Sequence, residues 1–181
     1  METQKLLFFG SPGAGKGTQA EKLIPNGFLH ISTGDLIRKA FQENDELILP
    51  HKEAVDNGAF LPDELIFQLV EKAVLDKPNY ILDGAVRTIP QAEYALEKNL
   101  VDKVIFFTLT QEQAEKRLLN RNQGRADDNP ESIKKRFEIY QQETFPIIEF
   151  LKNKGIEIIE IDASGAIDEI NEEVHKRLGL N

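Results

Sequence analysis

The chain has 181 residues, 40% hydrophobic and 29% charged, which fits one soluble globular domain with a sizeable core. Its formal net charge of −9 argues against nucleic acid and anionic membranes as partners, because both repel it. The chain contains no cysteine, so disulfides and thiolate zinc sites are excluded. No apolar run is long enough for a signal peptide or a membrane span, and we expect a cytoplasmic protein.

Short apolar runs alternate along the chain with longer helical patterns, an order that is typical of βαβ units. The predicted strands cover 5–9, 28–31, 80–82, 104–109 and 156–161. The predicted helices cover 16–24, 34–43, 63–76, 88–98, 111–121, 131–154 and 166–178. Pro146 should kink or divide the pattern 131–154. The alternation predicts an α/β doubly wound fold, a five-stranded parallel sheet flanked by helices.

Two segments depart from the strict alternation. Residues 32–61 carry helical pieces and turns without a strand of their own, and residues 121–130 form a polar stretch. Both are interpreted as insertions on a sheet scaffold. We therefore predict a single domain over 1–181, with a core of 1–31, 62–121 and 130–181, an insertion over 32–61 and a short loop over 122–129.

The strongest functional signal is the segment GSPGAGKGT over 10–18, directly after the first strand and at the start of a helix. Its glycines let backbone N–H groups turn inward around a phosphate, and the helix start adds its positive dipole end. Lys16 can reach the β- and γ-phosphates, and the Thr18 hydroxyl can ligate Mg²⁺. Gly17 stands where the general pattern has Ser or Thr. A turn that merely joins strand to helix is the weaker alternative, and the segment predicts a nucleotide site.

Five arginines near predicted loops or helix starts narrow the class of enzyme. A phosphate loop is shared by ATPases, GTPases and kinases, but the chain has no N-K-x-D segment to read guanine. Phosphoryl transfer needs positive charge on both sides of the migrating group. Any one of the arginines alone is better explained as a surface ion pair, and only the set together indicates a phosphoryl-transfer site. The set is Arg38, Arg87, Arg121, Arg125 and Arg136.

Five ordered motifs over nearly the whole chain resemble adenylate kinase, in its short-lid form. They are GSPGAGKGTQ, ISTGDLIR at 31–38, VDNGAFLPDEL at 55–65, DGAVRTIPQA at 83–92 and GRADDNPESIKKRF at 124–137, and IDASG follows at 161–165. The resemblance implies a P-loop kinase domain in which 32–61 binds AMP and 122–129 is the lid. It implies reversible, Mg²⁺-dependent, in-line transfer of the γ-phosphoryl group of ATP to AMP, giving two ADP, and no zinc.

On the ATP side, the resemblance implies that Lys16 stabilises the transferring group, that Arg121 clamps ATP and that the Gly165 backbone meets its adenine. Asp83 and Asp35 resemble the carboxylates that hold Mg²⁺ through its waters, together with the Thr18 hydroxyl. Asp35 has a plain alternative as a helix cap. The residues that hold the ATP phosphates are Gly13, Ala14, Gly15, Lys16, Gly17 and Thr18.

On the AMP side, the resemblance implies that Gln91 reads the adenine edge, with plain surface as the alternative. The resemblance also implies that Arg125 and Arg136 bridge toward AMP and the γ-phosphate. The catalytic set that it implies is Lys16, Arg87, Arg121, Arg125 and Arg136. The remaining AMP-binding residues are Thr33, Arg38, Ala59, Phe60, Leu61, Gly84, Ala85, Val86 and Arg87, of which Phe60 could instead belong to the core. The histidines His30, His51 and His175 show no pairing and are expected to be structural or exposed.

The chain departs from the family pattern at Ala85–Val86, where the family usually carries an aromatic residue and proline. A cis bond before a non-proline residue costs about 3–4 kcal/mol, so we predict a trans peptide there. Two alternatives to adenylate kinase stay open. Pyrimidine relatives, the UMP/CMP kinases, tend to carry alanine at position 33, where this chain has Thr33. The second alternative is a regulatory protein that binds nucleotides without catalytic turnover. We expect a monomer whose only partners are ATP, ADP and AMP.

Overall fold

A sheet of five parallel strands forms the centre of the computed structural model, which describes residues 3–56, 61–120 and 130–180. The strands are β1 (Gln4–Gly10), β2 (Leu29–Ser32), β3 (Asn79–Asp83), β4 (Lys103–Thr108) and β5 (Glu157–Asp162). They lie in the order β2-β3-β1-β4-β5. Each of the five predicted strands is confirmed to within one residue at either end.

Helices connect the strands and cover both faces of the sheet. Over the described ranges they are α1 (Lys16–Leu23), α2 (Thr33–Gln42), α3 (Lys52–Asp56), α4 (Asp63–Val74), α5 (Ile89–Glu97), α6 (Gln111–Leu119), α7 (Pro130–Ile139), α8 (Phe145–Asn153) and α9 (Ile167–Leu178). Short 3₁₀ turns follow α1 and precede α3. Between β2 and α4 the described residues form helices and turns without a strand, as the interpretation of 32–61 as an insertion expects.

The alternation of side chains along the central strand divides the core between the two faces of the sheet. Leu7 and Phe9 of β1 pack on one face with residues of α4, α5 and α8. Leu6 and Phe8 pack on the other face with residues of α1 and α9. A parallel sheet covered on both sides needs this continuous apolar run, which the sequence carries at 6–9.

The long helical pattern near the C-terminus is divided, as predicted from Pro146. A π-helical turn, Tyr140–Thr144, separates α7 from α8, and Pro146 is the second residue of α8. Proline lacks a backbone N–H, so the helix before it must change its hydrogen bonding. Within the described residues, no helix is long and apolar enough to span a membrane.

The register of the sheet brings three strand ends together at its carboxyl edge. Phe8 of β1 pairs with Asp83 of β3, and Ser32 of β2 pairs with the same Asp83. Gly10, the last residue of β1, therefore lies at the edge where β2 and β3 also end. Ligands of open parallel sheets bind outside these carboxyl ends.

Candidate active site

Two glycines shape the loop after β1, at positions where a side chain would strain or displace the backbone. Gly10 has φ +147° and Gly13 has φ +82°. A Cβ atom at Gly10 would lie 2.5 Å from the Phe107 carbonyl oxygen, and one at Gly13 would lie 2.7 Å from the Ala114 carbonyl oxygen. The loop backbone is thus pressed against β4 and α6, which fixes its course.

The loop leads into α1 with an open helix start. Gly15 is the N-cap in the left-handed conformation (φ 86°), and no side chain caps the helix there. The first backbone N–H groups of a helix have no partner within it, so this end favours an anion. The Lys16 ammonium donates to the carbonyl oxygens of Gly10 (2.9 Å) and Ser11 (3.1 Å). Its charge is therefore held over the same loop.

A half-buried carboxylate, Asp83, lies beside this loop at the end of β3. Its Oδ2 is 3.6 Å from the His30 Nε2 and 3.6 Å from the position of a Cβ atom at Gly17. Burial would raise the pKa of Asp83, but the adjacent His30 and the charges of Lys16 and Arg87 outweigh it and lower the pKa below its ordinary value. Asp83 is therefore a carboxylate at neutral pH, next to the phosphate loop.

His30 lies beside Asp83, although its Nε2 makes no hydrogen bond within the described structure. Only 14% of its side chain is exposed, and it faces Asp83. It also helps to lower the pKa of Asp35, which places it near both acidic residues. Its partner lies on the next strand, a contact that the sequence spacing could not reveal. His175 is structural as expected, because its ring nitrogens contact Asn171 and Asn26.

Asp35 and Arg38 form an exposed ion pair in the first turns of α2. The helix cap is Ser32, whose hydroxyl accepts the Asp35 backbone N–H at 3.3 Å, so the alternative of Asp35 as the cap is wrong. Burial would raise the pKa of the Asp35 carboxyl, but bonds from Arg38 and Ser32 lower it on balance. The ion pair thus fixes the Arg38 side chain near the start of α2 and gives the Asp35 carboxylate a cationic partner.

Thr33, the first residue of α2, carries a buried polar atom without a partner within the described structure. The residue is 3% exposed, and its hydroxyl has no hydrogen bond within the described structure. Such an orphan group in a native fold calls for an explanation, and a ligand is one. Leu61, another predicted AMP-binding residue, is also 3% exposed and belongs to the core cluster on that face of the sheet.

In the turn 83–88, buried residues precede the exposed Arg87 side chain. Ala85 and Val86 are 3% and 4% exposed and pack into the core, so their side chains are directed away from any ligand and only their backbone groups could contact AMP. The Ala85–Val86 peptide is trans, as predicted. Gly84 adopts φ +75°, and the exposed Arg87 side chain bends back so that its Nε donates to the Gly84 carbonyl at 3.2 Å.

Gln91 is buried, and the alternative of plain surface for it is wrong. It is 3% exposed. Its Oε1 accepts the Arg87 backbone N–H at 2.6 Å, and its Nε2 donates to Asp63 Oδ1 at 2.6 Å. Gln91 therefore joins the Arg87 turn to the start of α4. Asp63 lies in the motif at 55–65, but nothing in the sequence indicated its contact with Gln91.

A second residue that the sequence analysis missed is Arg117 on α6. Its guanidinium donates to the carbonyl oxygens of Ser164 (3.3 Å) and Gly165 (3.2 Å), in the turn between β5 and α9. Arg117 and Ser164 line a cavity of about 340 Å³ with Gln113, Lys116 and Asn120. Its spacing four residues before Arg121 was a weak signal. The structure thus places the predicted Gly165 backbone beside a cationic cavity.

Several predicted site residues lie outside the described residues. These are Ala59, Phe60, Arg121, Arg125, the lid 122–129 and the side chain of Arg136, whose backbone belongs to α7. Within the described ranges, no three His, Cys, Asp or Glu side chains converge as a metal-holding cluster. Mg²⁺ rarely needs one, because it keeps several waters and takes one or two carboxylates plus phosphate oxygens. A single ionised carboxylate beside a phosphate loop, as Asp83 is, fits that ion.

A parallel sheet with a glycine-rich phosphate loop after its central strand defines a P-loop nucleotide-binding enzyme. The adenylate kinase family model matches residues 8–156 of this chain. An adenylate kinase of Synechococcus sp. (strain CC9902) is 39% identical over 183 residues, covering 96% of this chain and 98% of the relative. An adenylate kinase of Porphyromonas gingivalis is 41% identical over 177 residues, covering 91% of this chain and 90% of the relative.

The chain belongs to the adenylate kinase family and is a phosphotransferase enzyme. The predictions of family, fold class and enzyme class are therefore confirmed. UMP-CMP kinase 1 of Oryza sativa subsp. japonica is also similar, 35% identical over 176 residues that cover 93% of this chain and 71% of the relative. Sequence similarity over most of the chain therefore extends to a relative named as a UMP-CMP kinase. Similarity alone does not select the acceptor, which has to be inferred from the residues of the site.

Proposed function

We propose that this enzyme transfers the γ-phosphoryl group of ATP to AMP, reversibly and in line, giving two ADP. One observation carries the proposal. Asp83 pairs in the sheet with Phe8, two residues before the phosphate loop, and with Ser32, the cap of α2. A donor site on the loop and an acceptor site on α2 and the 83–88 turn are therefore neighbours at one sheet edge.

The donor site is the loop of Gly13 to Thr18. Its glycine backbone and the uncapped start of α1 favour the phosphates of ATP. We expect Lys16 to exchange its bonds with the loop carbonyls for phosphate oxygens, since a charged acceptor makes the stronger hydrogen bond. It then offsets charge that develops on the transferred group.

The metal of the reaction is proposed to be Mg²⁺, bound with ATP. Asp83 and the exposed Thr18 hydroxyl would hold it, with Asp35 as the second predicted carboxylate. When bound, the ion neutralises phosphate charge during transfer. The lowered pKa of Asp83 supports this role, because the group is an anion at every pH at which the enzyme is expected to work.

The acceptor site is proposed to lie between α2 and the Arg87 turn. The orphan hydroxyl of Thr33 supplies a hydrogen bond that adenine can use, and Arg38 and Arg87 supply cationic groups for the phosphate. Gln91 retains one N–H and one oxygen lone pair beyond its two bonds, enough to read a base edge. These groups favour AMP over the pyrimidine alternative, which tends to lack the Thr33 hydroxyl.

Catalysis in this proposal is positioning and electrostatics. The AMP phosphate oxygen is already a nucleophile, so no side chain need act as a strong base. Lys16 and Arg87, with Arg121, Arg125 and Arg136, surround the transferred group. The insertion 32–61 and the lid 122–129 are proposed to close over the substrates. Closure would exclude water and so limit hydrolysis of ATP.

The adenine of ATP is proposed to occupy the cavity beside Arg117. The guanidinium plane of an arginine can stack on an aromatic base. The Gly165 and Ser164 carbonyls, which now accept from Arg117, hold that plane in place. Substitution of Arg117 by Ala should therefore raise KM for ATP more than KM for AMP.

The protein is further proposed to be a cytoplasmic monomer without zinc, and without nucleic acid or membrane partners. The net charge of −9 supports the last point, since like charges repel. Light scattering on a size-exclusion column tests the monomer, and metal analysis of the purified protein tests for zinc.

A coupled assay of ADP formation tests the function. ADP formed from ATP and AMP, and abolished by a Mg²⁺ chelator, is expected. A nucleotide-binding regulator without turnover would form none. Faster turnover of UMP or CMP than of AMP would instead support the pyrimidine kinase alternative. The similarity to the rice UMP-CMP kinase is the reason to include these acceptors.

A further inference from the structure

Asp63 was not assigned to the site from the sequence, yet it is hydrogen-bonded to Gln91, which was. It is the first residue of α4, and its Oδ1 accepts the Gln91 Nε2 at 2.6 Å. We propose that Asp63 is a positioning residue that fixes the orientation of the Gln91 amide and thereby the choice of base. The inference rests on the proposed function, since it concerns how the AMP site reads its ligand.

The chemistry of the two contacts allows one orientation of the amide. A carboxylate only accepts hydrogen bonds, so the nitrogen of Gln91 must face Asp63. A backbone N–H only donates, so the oxygen of Gln91 must face Arg87. One N–H and one oxygen lone pair are left, in a fixed order along the amide edge. A glutamine held by one contact alone could turn over and present them in reverse.

The fixed order matters because purines differ in the order of their own edge groups. Adenine carries an amino donor at C6 beside a ring-nitrogen acceptor at N1. Hypoxanthine, the base of IMP, has nearly the same shape but carries a carbonyl acceptor at C6 and an N–H donor at N1. An amide that matches one edge opposes donor to donor and acceptor to acceptor on the other. Asp63 should therefore support the preference for AMP over IMP.

Helix capping is the plain alternative for the same contacts. Thr88 caps α5, and its hydroxyl accepts the Gln91 backbone N–H at 3.3 Å. That cap is complete without Asp63, which reaches Gln91 from another helix, 28 residues away in the chain. If capping were the whole role of these groups, loss of Asp63 would change stability and leave the choice of base as it is.

The experiment compares substitutions of Asp63 in the full chain. Asp63→Ala removes the acceptor. Asp63→Asn keeps an oxygen at the same place and serves as the rescue. Asp63→Glu keeps the charge at the helix start but shifts the acceptor, which provides a second test should the alanine variant fail to fold. Glu64→Ala is the matched control, because Glu64 is an exposed carboxylate in the same first turn.

Steady-state kinetics with ATP, AMP and IMP give the readout, and thermal melts report folding. We expect Asp63→Ala to lower the AMP-to-IMP ratio of kcat/KM about tenfold, as loss of one charge-assisted bond does. Asp63→Glu should lower it in the same direction. KM for ATP should stay unchanged in both, and Asp63→Asn and Glu64→Ala should keep the wild-type ratio.

An unchanged AMP-to-IMP ratio in both Asp63→Ala and Asp63→Glu would overturn the inference. So would an equal loss on the ATP and AMP sides, which would indicate a general structural role. Either result leaves the proposed function intact if the wild type still forms ADP from ATP and AMP. A wild type that forms none would overturn the proposed function, and this inference with it.

Discussion

The two halves of the site are held in different ways. On the donor side, the backbone of the loop is pressed against buried strands and helices, as the short distances at Gly10 and Gly13 show. On the acceptor side, side chains hold one another, as Gln91 does with Asp63 from another helix and Arg38 does with Asp35 within one turn of α2. The donor side is thus preformed by the core, while the acceptor side depends on contacts that single substitutions can remove.

Lys16→Met should have the largest effect. It removes the ammonium that the loop holds over the phosphate site, and kcat should fall by on the order of a hundredfold or more. The variant should still fold, because the course of the loop is fixed by contacts of its backbone and not by the Lys16 side chain. Lys22→Met is the matched control on the same helix, because Lys22 makes an exposed ion pair with Asp168. If Lys16→Met kept more than half the activity, the phosphate loop would be misassigned.

Gly13→Ala should come next, as a loss of stability. Gly13 and Gly27 both have positive φ, but a Cβ atom meets the Ala114 carbonyl at Gly13 and open space at Gly27. Gly27→Ala should cost about 1 kcal/mol of unfolding free energy from backbone strain. Gly13→Ala should cost about 2 kcal/mol more, because the neighbouring backbone must move. Urea unfolding measures both, and equal costs would show that the loop is not pressed against α6.

Asp83→Asn should lower kcat about tenfold, because a preorganised charge is lost beside the phosphates. The same variant tests the lowered pKa. A carboxyl whose folded-state pKa is depressed stabilises the fold above its unfolded pKa, near 4, and loses that contribution as the pH falls through the lower value. Stability of the wild type should therefore drop more steeply than that of Asp83→Asn below about pH 4. Parallel curves would contradict the assigned environment.

Asp35→Asn should have the smallest effect. Its ion pair with Arg38 is exposed, and such pairs contribute about 0.2–1 kcal/mol. A change in KM for AMP of less than about fivefold would fit a residue that only steadies Arg38. A shift in the Mg²⁺ concentration needed for half-maximal rate would instead show that Asp35 helps to hold the metal, as its family position implies.

The strands and the glycine-rich loop after β1 could be predicted from the sequence, while several contacts around the predicted acceptor site could not. Each strand, and the phosphate loop, is recognised from residues that are adjacent in the chain. The order of the strands, the contact of His30 with Asp83 and the bond between Gln91 and Asp63 depend on which elements become neighbours after folding. Arg117 was missed for the same reason, since its partner carbonyls lie 47 and 48 residues away.

One measurement tests the identity of the phosphoryl acceptor most directly. With saturating ATP and Mg²⁺, kcat/KM is determined for AMP, CMP and UMP under one set of conditions. Because Thr33 and Gln91 offer buried hydrogen-bonding groups that an ill-matched base leaves unpaired, AMP should exceed both pyrimidines by at least about tenfold. Comparable values for CMP and AMP would contradict the adenine assignment.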